Sequence, residues 1–302
     1  MAKKKHTVLT VFIIIAAVAL LLGTISIIVV RTLAPSSRIS FGKKIGVITI
    51  NGTILNAQPT LSEIIRFRKD KAVKAIIVRI DSPGGGVGPS QEIYEELRRT
   101  RKSKKVIASM GSVAASGGFY IAAAADKIVA NPGTITGSIG VIMEFVRLEE
   151  LLKKIGVSID VLKSGEYKDM GYPQRKLTEG DKQILNQVIS DIKQQFVRAV
   201  AKGRHLPKEE VEKIADGRIF SGERAKALGL VDALGNFQDA VELAKKMAGI
   251  KGDVTLVYPK KRGINFWDLI FDSASKSALK WLQKTQTRVE YSWQNSLNPA
   301  FR

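Results

Sequence analysis

The residues best suited to covalent chemistry lie in a run of small side chains around Ser116. This serine follows Ala114 and Ala115 and precedes Gly117 and Gly118. Small residues on both sides permit the sharp strand-to-helix turn that exposes a nucleophilic hydroxyl, and the N–H after the serine can stabilise an oxyanion. A helix of small residues packed closely on a neighbour would have the same composition. The run therefore indicates either a nucleophile or close packing.

A second segment, residues 82–86, reads Ser-Pro-Gly-Gly-Gly and follows a predicted strand. Glycine strings in this position often bind phosphate, but this one lacks the lysine of GxxxxGK[ST] and the order GxGxxG. Glycine also lets a backbone approach a substrate closely, so its N–H groups can face an active site. A plain tight turn is the alternative.

The composition limits which general base could activate a serine. The chain has no cysteine and only two histidines, His6 and His205. This excludes cysteine nucleophiles, disulfides and thiolate zinc sites, argues against a histidine metal cluster, and leaves His205 for any serine–histidine–aspartate triad. A lysine can serve instead, but lowering its pKa from ~10.4 to about 7–8 requires roughly 4 kcal/mol from burial or neighbouring positive charge. A catalytic lysine should be shielded from carboxylates, and with 48 Lys and Arg residues the spacing alone selects none.

Strand-like and helix-like segments alternate after residue 45, which predicts an α/β fold with parallel βαβ units in one domain. Ala75–Ile80 is a continuous aliphatic run, typical of a parallel strand buried on both faces. Thr178 and Asp181 form a capping box at the start of a long helix, with aspartate in place of the usual glutamate. The predicted strands are 45–54, 75–80, 106–110, 127–130 and 159–162, and the predicted helices are 61–70, 89–100, 119–125, 146–155, 178–204, 207–215, 221–228 and 236–248.

The N-terminal segment predicts a transmembrane signal anchor. Three lysines, Lys3 to Lys5, precede 23 uncharged residues from Val8 to Val30, which as a helix would be roughly 34 Å long. The hydrocarbon core is ~30 Å thick, whereas a cleaved signal peptide has only about 7–15 apolar residues. We expect residues 1–7 in the cytoplasm, 8–30 in the cell membrane, 31–44 as a linker and the rest outside the cytoplasm. A buried soluble helix and a processing site near Ala34 are the alternatives.

The net charge of +20 raises the question of an anionic partner. Lysine and arginine are scattered among acidic residues and no nucleic-acid motif is present, so we expect no nucleic-acid partner. Anionic lipid and peptides near the bilayer fit better, with a simply solvated surface as the alternative. Residues 251–302 form a basic tail that predicts an amphipathic helix, lying on a membrane or packed on a subunit or the core. Its apolar face would hold Trp267, Ile270, Phe271, Ala274, Ala278, Trp281 and Leu282.

Several ordered motifs together resemble the bacterial signal peptide peptidase A family in its short, single-repeat form with an N-terminal anchor. The resemblance covers about residues 45–250 and is carried by five segments, 111–120, 136–141, 163–169, 215–218 and 228–232. It implies a ClpP/crotonase-like fold and a serine peptidase that cleaves signal-peptide remnants and other unfolded, extended apolar peptides. It implies no cofactor and no metal. The tail beyond residue 250 lies outside the resemblance.

The resemblance also assigns roles to residues. It implies ring-like homo-octamers with shared active sites, so that the base of one chain acts on the nucleophile of another. Phe119, where the family often has tyrosine, is a mild departure. The implied roles are Ser116 as nucleophile, Lys168 as general base, Ser138 as the residue that orients that lysine, and Gly84 or Gly85 with Gly117 as oxyanion donors.

Three rival interpretations remain open from sequence. The chain could be a related membrane-anchored ClpP-class protease with other substrates, or a non-catalytic membrane scaffold that keeps the fold. A crotonase-type acyl-CoA enzyme shares the fold, but its chemistry does not require a serine–lysine pair, and a location outside the cytoplasm removes the coenzyme.

Overall fold

The computed structural model describes residues 14–26, 43–259 and 289–292. The chain divides into two compact units, Met1–Phe41 and Gly42–Arg302. In the first unit, residues 14–26 form helix α1 with exposed side chains. Both ends of the predicted 8–30 segment lie outside the described residues. Among the residues that are described, no helix combines the length and the apolar character needed to cross a bilayer.

The second unit contains a large sheet and a small one. Its strands are β1 (Lys44–Asn51), β2 (Val73–Ser82), β3 (Gly84–Gly86), β4 (Lys105–Ala115), β5 (Lys127–Ala130), β6 (Ile135–Gly137), β7 (Ile142–Met143), β8 (Ile219–Ser221), β9 (Ala233–Leu234), β10 (Thr255–Val257) and β11 (Val289–Ser292). The large sheet has the order β10-β1-β2-β4-β5-β9, with β6 on β4 and β8 on β6. Every pair in it is parallel except β6 with β8. The predicted parallel α/β architecture is therefore confirmed.

Helices cover both faces of this sheet, which explains its continuous aliphatic strands. They are α2 (Gln58–Lys69), α3 (Val87–Arg101), α4 (Gly117–Ala122), α5 (Glu149–Lys154), α6 (Glu179–Arg204), α7 (Lys208–Glu212), α8 (Gly222–Ala227) and α9 (Phe237–Met247). Ile76 packs in a core with α2, α3, α4 and α6, while Ile77 packs on the opposite face with α9. Successive side chains of a strand point to opposite faces, so one strand supplies both cores.

The long helix α6 begins where its sequence predicts. The Thr178 hydroxyl accepts a hydrogen bond from the Asp181 N–H at 3.1 Å, and the Asp181 carboxylate accepts one from the Thr178 N–H at 2.9 Å. Both halves of the predicted capping box are present. The helix ends at His205, whose φ of 55° places it in the left-handed conformation that closes many helices.

One predicted element differs from the structure, and another lies outside the described residues. Residues 159–162, predicted as a strand, are irregular and exposed. A strand requires a hydrogen-bonded neighbour, and within the described part of the chain no strand pairs with this segment. The predicted tail helix around Trp267 and Trp281 lies outside the described residues. The described parts of the tail contain two strands, of which β10 pairs with β1, and β11 pairs with β3 and β7.

Candidate active site

Ser116 occupies the turn between β4 and α4. Its backbone has φ 52° and ψ −116°, a conformation that non-glycine residues rarely adopt. Two hydrogen bonds hold it there, because its N–H donates to the Gly137 carbonyl at 2.8 Å and its carbonyl accepts from the Tyr120 N–H at 2.8 Å. The residue is only 1% exposed. The geometry is that of the sharp turn expected for a nucleophilic serine.

The glycines after Ser116 are also required by packing. A Cβ on Gly117 would lie 2.6 Å from Ser90 Oγ, and one on Gly118 would lie 2.9 Å from the Ser82 carbonyl oxygen. The sharp turn and the close packing therefore occur together in this run. The N–H groups in the first turn of α4 have no acceptor within the helix, which leaves the Gly117 N–H available.

The glycine loop lies directly against this turn. A Cβ on Gly117 would be 3.3 Å from Gly84 Cα and 3.3 Å from Gly85 N. Gly84 and Gly85 have φ values of 105° and 155°, which side chains rarely allow. The Gly84 N–H donates to Ser82 Oγ at 3.1 Å, so this predicted oxyanion donor already has a partner. A plain tight turn does not describe this loop, because it forms strand β3.

Ser138 lies beside Ser116 at the end of the neighbouring strand. Strand β6 pairs with β4 so that Gly137 aligns with Ala115, and each serine is the next residue in its chain segment. Ser138 is 6% exposed and, like Ser116, has φ 52°. Its N–H donates to the Arg218 carbonyl at 2.8 Å. The structure thus brings together Ser116, Ser138 and the predicted oxyanion glycines.

Lys168 is placed differently. It lies in a 3₁₀ turn, Glu166–Asp169, and its side chain is exposed. Among the described residues of this single chain, no hydrogen bond joins Lys168 to Ser116 or Ser138. The family resemblance implies a base supplied by another subunit, and an exposed lysine is compatible with that arrangement.

The electrostatics around the Lys168 turn are dominated by ion pairs. Hydrogen bonds from Arg175 and then from Lys163 hold the pKa of Asp169 well below its usual range. Hydrogen bonds from Arg175 and Thr178 lower the pKa of Asp181 to about 2. Both carboxylates are therefore ionised at neutral pH, each with a cationic partner.

Buried aromatic residues support the helix that follows Ser116. Tyr120 of α4 contacts Tyr94 and Phe196, with ring centroids 4.8 and 4.9 Å away. Burial, followed by the nearby Tyr94, raises the pKa of Tyr120 to about 12, so this phenol stays protonated at neutral pH.

Of the two histidines, His205 lies within the described residues. His205 is exposed at the end of α6, where its backbone closes the helix. In the described ranges, no group of three or more histidine, aspartate or glutamate side chains is placed to hold a metal ion.

Sequence patterns did not predict that Arg175, Arg218 and strand β11 lie beside the candidate site. Arg218 belongs to the 215–218 segment, but it holds Ser138 through its backbone carbonyl oxygen. Every residue type has that oxygen, so the sequence gives no signal for the contact. The antiparallel register of β11, in which Tyr291 lies opposite Gly85 and Ser292 opposite Gly84, joins distant parts of the chain. Asp181, which binds Arg175, is the exception, because the capping box in the sequence predicts its place at the start of α6.

Comparison with known proteins finds two matching protein families. Residues 98–251 match peptidase family S49, and residues 41–134 match the Clp protease family. The chain is 47% identical over 212 residues to a putative protease of Synechocystis sp., covering 70% of this chain and 76% of that protein. It is 38% identical over 218 residues to a putative signal peptide peptidase SppA of Enterococcus faecium, covering 68% of this chain and 63% of that protein. It is 39% identical over 220 residues to Protease 4 of Salmonella typhi, covering 70% of this chain and 35% of that protein.

The fold and these matches define a serine peptidase with a Clp-like α/β architecture. The S49 match covers more than half of the chain, and one relative is named a putative signal peptide peptidase. The chain belongs to peptidase family S49. The resemblance drawn from its motifs is thereby confirmed.

Proposed function

We propose that the protein is a membrane-anchored serine endopeptidase in which Ser116 is the nucleophile and Lys168 the general base. The observation that carries the proposal is the strained, hydrogen-bonded turn at Ser116, packed against the Gly84–Gly85 backbone and beside Ser138. In the proposed reaction, neutral Lys168 removes the Ser116 Oγ proton as that oxygen attacks a peptide carbonyl. The Gly117 and Gly85 N–H groups stabilise the oxyanion, and the lysine then donates its proton to the leaving amine. Water releases the acyl-enzyme.

The substrates we propose are extended apolar peptides, including signal-peptide remnants. Strand β11 supports this mode, because its backbone pairs antiparallel with Gly84–Gly86 on one side and with Ile142–Met143 on the other. The edge of the glycine loop therefore accepts an extended strand. Backbone pairing recognises any unfolded peptide, whereas a folded protein offers few free strands. The relative in Enterococcus faecium is named a signal peptide peptidase, which agrees with this substrate class.

We further propose that the active unit is a homo-oligomer, with the octamer as the expected form. Residues 142–172 expose many large apolar side chains, and burial of such a surface between copies would stabilise assembly. A second chain could also bring Lys168 to Ser116. The exposed side chains are Ile142, Val146, Leu148, Leu151, Ile155, Val157, Ile159, Val161, Leu162, Tyr167 and Tyr172.

For localisation, we propose that residues 8–30 anchor the chain in the cell membrane, with the catalytic unit outside the cytoplasm. The supporting observation is the long uncharged run behind three lysines. Alkaline carbonate extraction of membranes tests this proposal. The chain should stay in the pellet, and deletion of residues 8–30 should release it; extraction of the intact chain would contradict the anchor.

The central test is hydrolysis of a synthetic signal peptide by the full chain in detergent. We expect Ser116→Ala and Lys168→Ala each to abolish cleavage while circular dichroism stays unchanged. His205→Ala is the matched control and should keep full turnover. Cleavage by the Ser116 or Lys168 variant would overturn that residue's assignment, and loss of cleavage in the His205 variant would restore a histidine triad. Inactivity of the unaltered chain on all peptides would favour the scaffold.

A further inference from the structure

The turn that carries Lys168 is fastened to the start of α6 by four charged side chains. Asp169 follows Lys168 directly and is 6% exposed. One of its oxygens accepts hydrogen bonds from Lys163 Nζ at 2.9 Å and from Arg175 Nη2 at 2.8 Å. The other terminal nitrogen of Arg175 donates to Asp181 at 2.5 Å. Arg175 thus bridges two buried carboxylates, one in the turn and one in the helix.

This bridge ends on a rigid element. Asp181 is 1% exposed and is the N3 residue of the α6 capping box, so its position is fixed by Thr178 as well as by Arg175. Further along the same helix, Phe196 and Val200 are buried in the main core. Because the Lys168 turn is bound to α6 through Arg175, the packed helix fixes the position of the turn. The 3₁₀ turn by itself has few hydrogen bonds to hold it.

The charges in the network balance. Two cations, Lys163 and Arg175, face two carboxylates, Asp169 and Asp181. Nearby, the Glu179 carboxylate pairs with Lys182. The backbone carbonyls of Glu166 and Lys176 accept hydrogen bonds from Lys163 and Arg175. The Glu166 side chain is exposed, so water screens its charge.

A balanced network matters because of what Lys168 must do. An uncompensated carboxylate beside a lysine stabilises the ammonium form, which cannot accept a proton. Asp169 is the next residue in the chain, so its charge would act on Lys168 if it were left unpaired. The two cations remove this effect without removing the carboxylate that anchors the turn.

We propose that Arg175 is a positioning residue for peptide hydrolysis, which fixes the Lys168 turn onto α6 and neutralises the carboxylates beside it. Lys163 assists in the second role. The inference rests on the proposed function of Lys168 as the base. It assigns to Arg175 an effect on the protonation of the base as well as on its place.

The test measures kcat/KM against pH for an apolar fluorogenic peptide, using full-length variants. Arg175→Gln leaves one carboxylate unpaired, so the ascending limb of the profile should move to higher pH by about 0.5 unit or more. Arg175→Lys should keep the limb near its original position. The double variant Asp169→Asn/Arg175→Gln restores the balance of charge and should return the limb towards the original, even where its maximal rate is lower.

Two further variants serve as a second test of the charge effect and as its control. Lys163 is exposed enough for Lys163→Gln to fold, and it makes the same change in charge as Arg175→Gln. The ascending limb of its pH profile should also move to higher pH. Lys245→Gln breaks an ion pair with Glu242 on α9, against the other face of the sheet, and should leave the limb in place. An unmoved limb in both Lys163→Gln and Arg175→Gln, with rates lowered equally at every pH, would overturn the inference and leave a structural role.

Failure of the inference and failure of the proposed function give different results. If Lys168→Ala hydrolyses the peptide normally, Lys168 is not the base, whatever the limb does. If Lys168→Ala is inactive and the limb of the charge variants stays fixed, the base assignment stands and only the role of Arg175 is wrong.

Discussion

At the scale of single residues, the site depends on two serines in a strained backbone conformation. Ser116 and Ser138 share φ 52°, and such positions cost of order 1–3 kcal/mol each unless their surroundings determine them. Here hydrogen bonds from their N–H groups to the Gly137 and Arg218 carbonyls hold both. Their hydroxyl groups are thus presented from neighbouring strand ends by a fixed backbone.

We predict that Gly117→Ala lowers kcat by about 100-fold, the effect of displacing one oxyanion donor. The new Cβ would meet Ser90 Oγ at 2.6 Å and push the turn away from Gly84 and Gly85. Steady-state kinetics on the apolar peptide measures the loss.

The double variant Gly117→Ala/Ser90→Ala serves as the control for this prediction. It removes the closest clashing atom and should recover part of the rate, since the remaining contacts are no shorter than 3.3 Å. Equal rates for Gly117→Ala and the unaltered protein would show that the contact does not position the oxyanion donor.

At the scale of elements, the start of α6 should respond to acid. Hydrogen bonds from Arg175 and Thr178 lower the pKa of folded Asp181 to about 2, below the ~3.9 of an unfolded aspartate. A group with a depressed folded pKa contributes stability above its unfolded pKa, and this contribution is lost as the pH falls. We therefore predict that amide-exchange protection in the first turns of α6 declines between pH ~4 and ~2. Equal protection at both ends of this window, after correction for the intrinsic exchange rate, would contradict the prediction.

The second prediction at this scale concerns strand β11, which lies between β3 and β7. A substrate that pairs with the glycine loop has to displace it, so weakening β11 should favour substrate. Proline cannot donate to a ladder and is excluded from central strands. We predict that Tyr291→Pro lowers KM for an extended peptide several-fold without lowering kcat.

Tyr291→Phe is the matched control, because it preserves the backbone N–H. It should leave KM unchanged. A KM that is the same in the proline variant and in the unaltered chain would show that β11 does not compete with substrate.

At the scale of the whole molecule, the exposed apolar arm of residues 142–172 governs assembly in the proposed function. Leu162 is fully exposed in the single chain, and a charge there would be buried without a partner in an oligomer. We predict that Leu162→Asp sediments as a smaller species and loses at least about tenfold in peptide hydrolysis, with its circular dichroism unchanged.

Tyr258→Asp provides the matched control for assembly. Tyr258 is 52% exposed and follows β10 at the outer edge of the sheet. Its variant should keep the mass and rate of the unaltered protein. An unaltered mass for Leu162→Asp in sedimentation velocity would remove the arm from the interface.

The sequence by itself determined the features that short-range chemistry controls. The small residues around Ser116, the glycines at 84–86, the aliphatic run of β2 and the capping box at Thr178 each specify a local backbone geometry. Their spacing predicted the parallel α/β fold, whereas the choice of Ser116 and Lys168 came from the ordered motifs that resemble a peptidase family.

The tertiary structure alone decided which groups from separate elements meet. Pairing of β6 with β4 places Ser138 beside Ser116. Packing of the 3₁₀ turn on α6 lets Arg175 bind both Asp169 and Asp181. Residues 159–162 have the sequence pattern of a strand, but no described strand pairs with them, so the predicted strand does not form. The physical reason is common to all three cases. Turns and caps are satisfied within a few residues, whereas strand partners, and ion pairs between separate elements, depend on tertiary packing that no local spacing encodes.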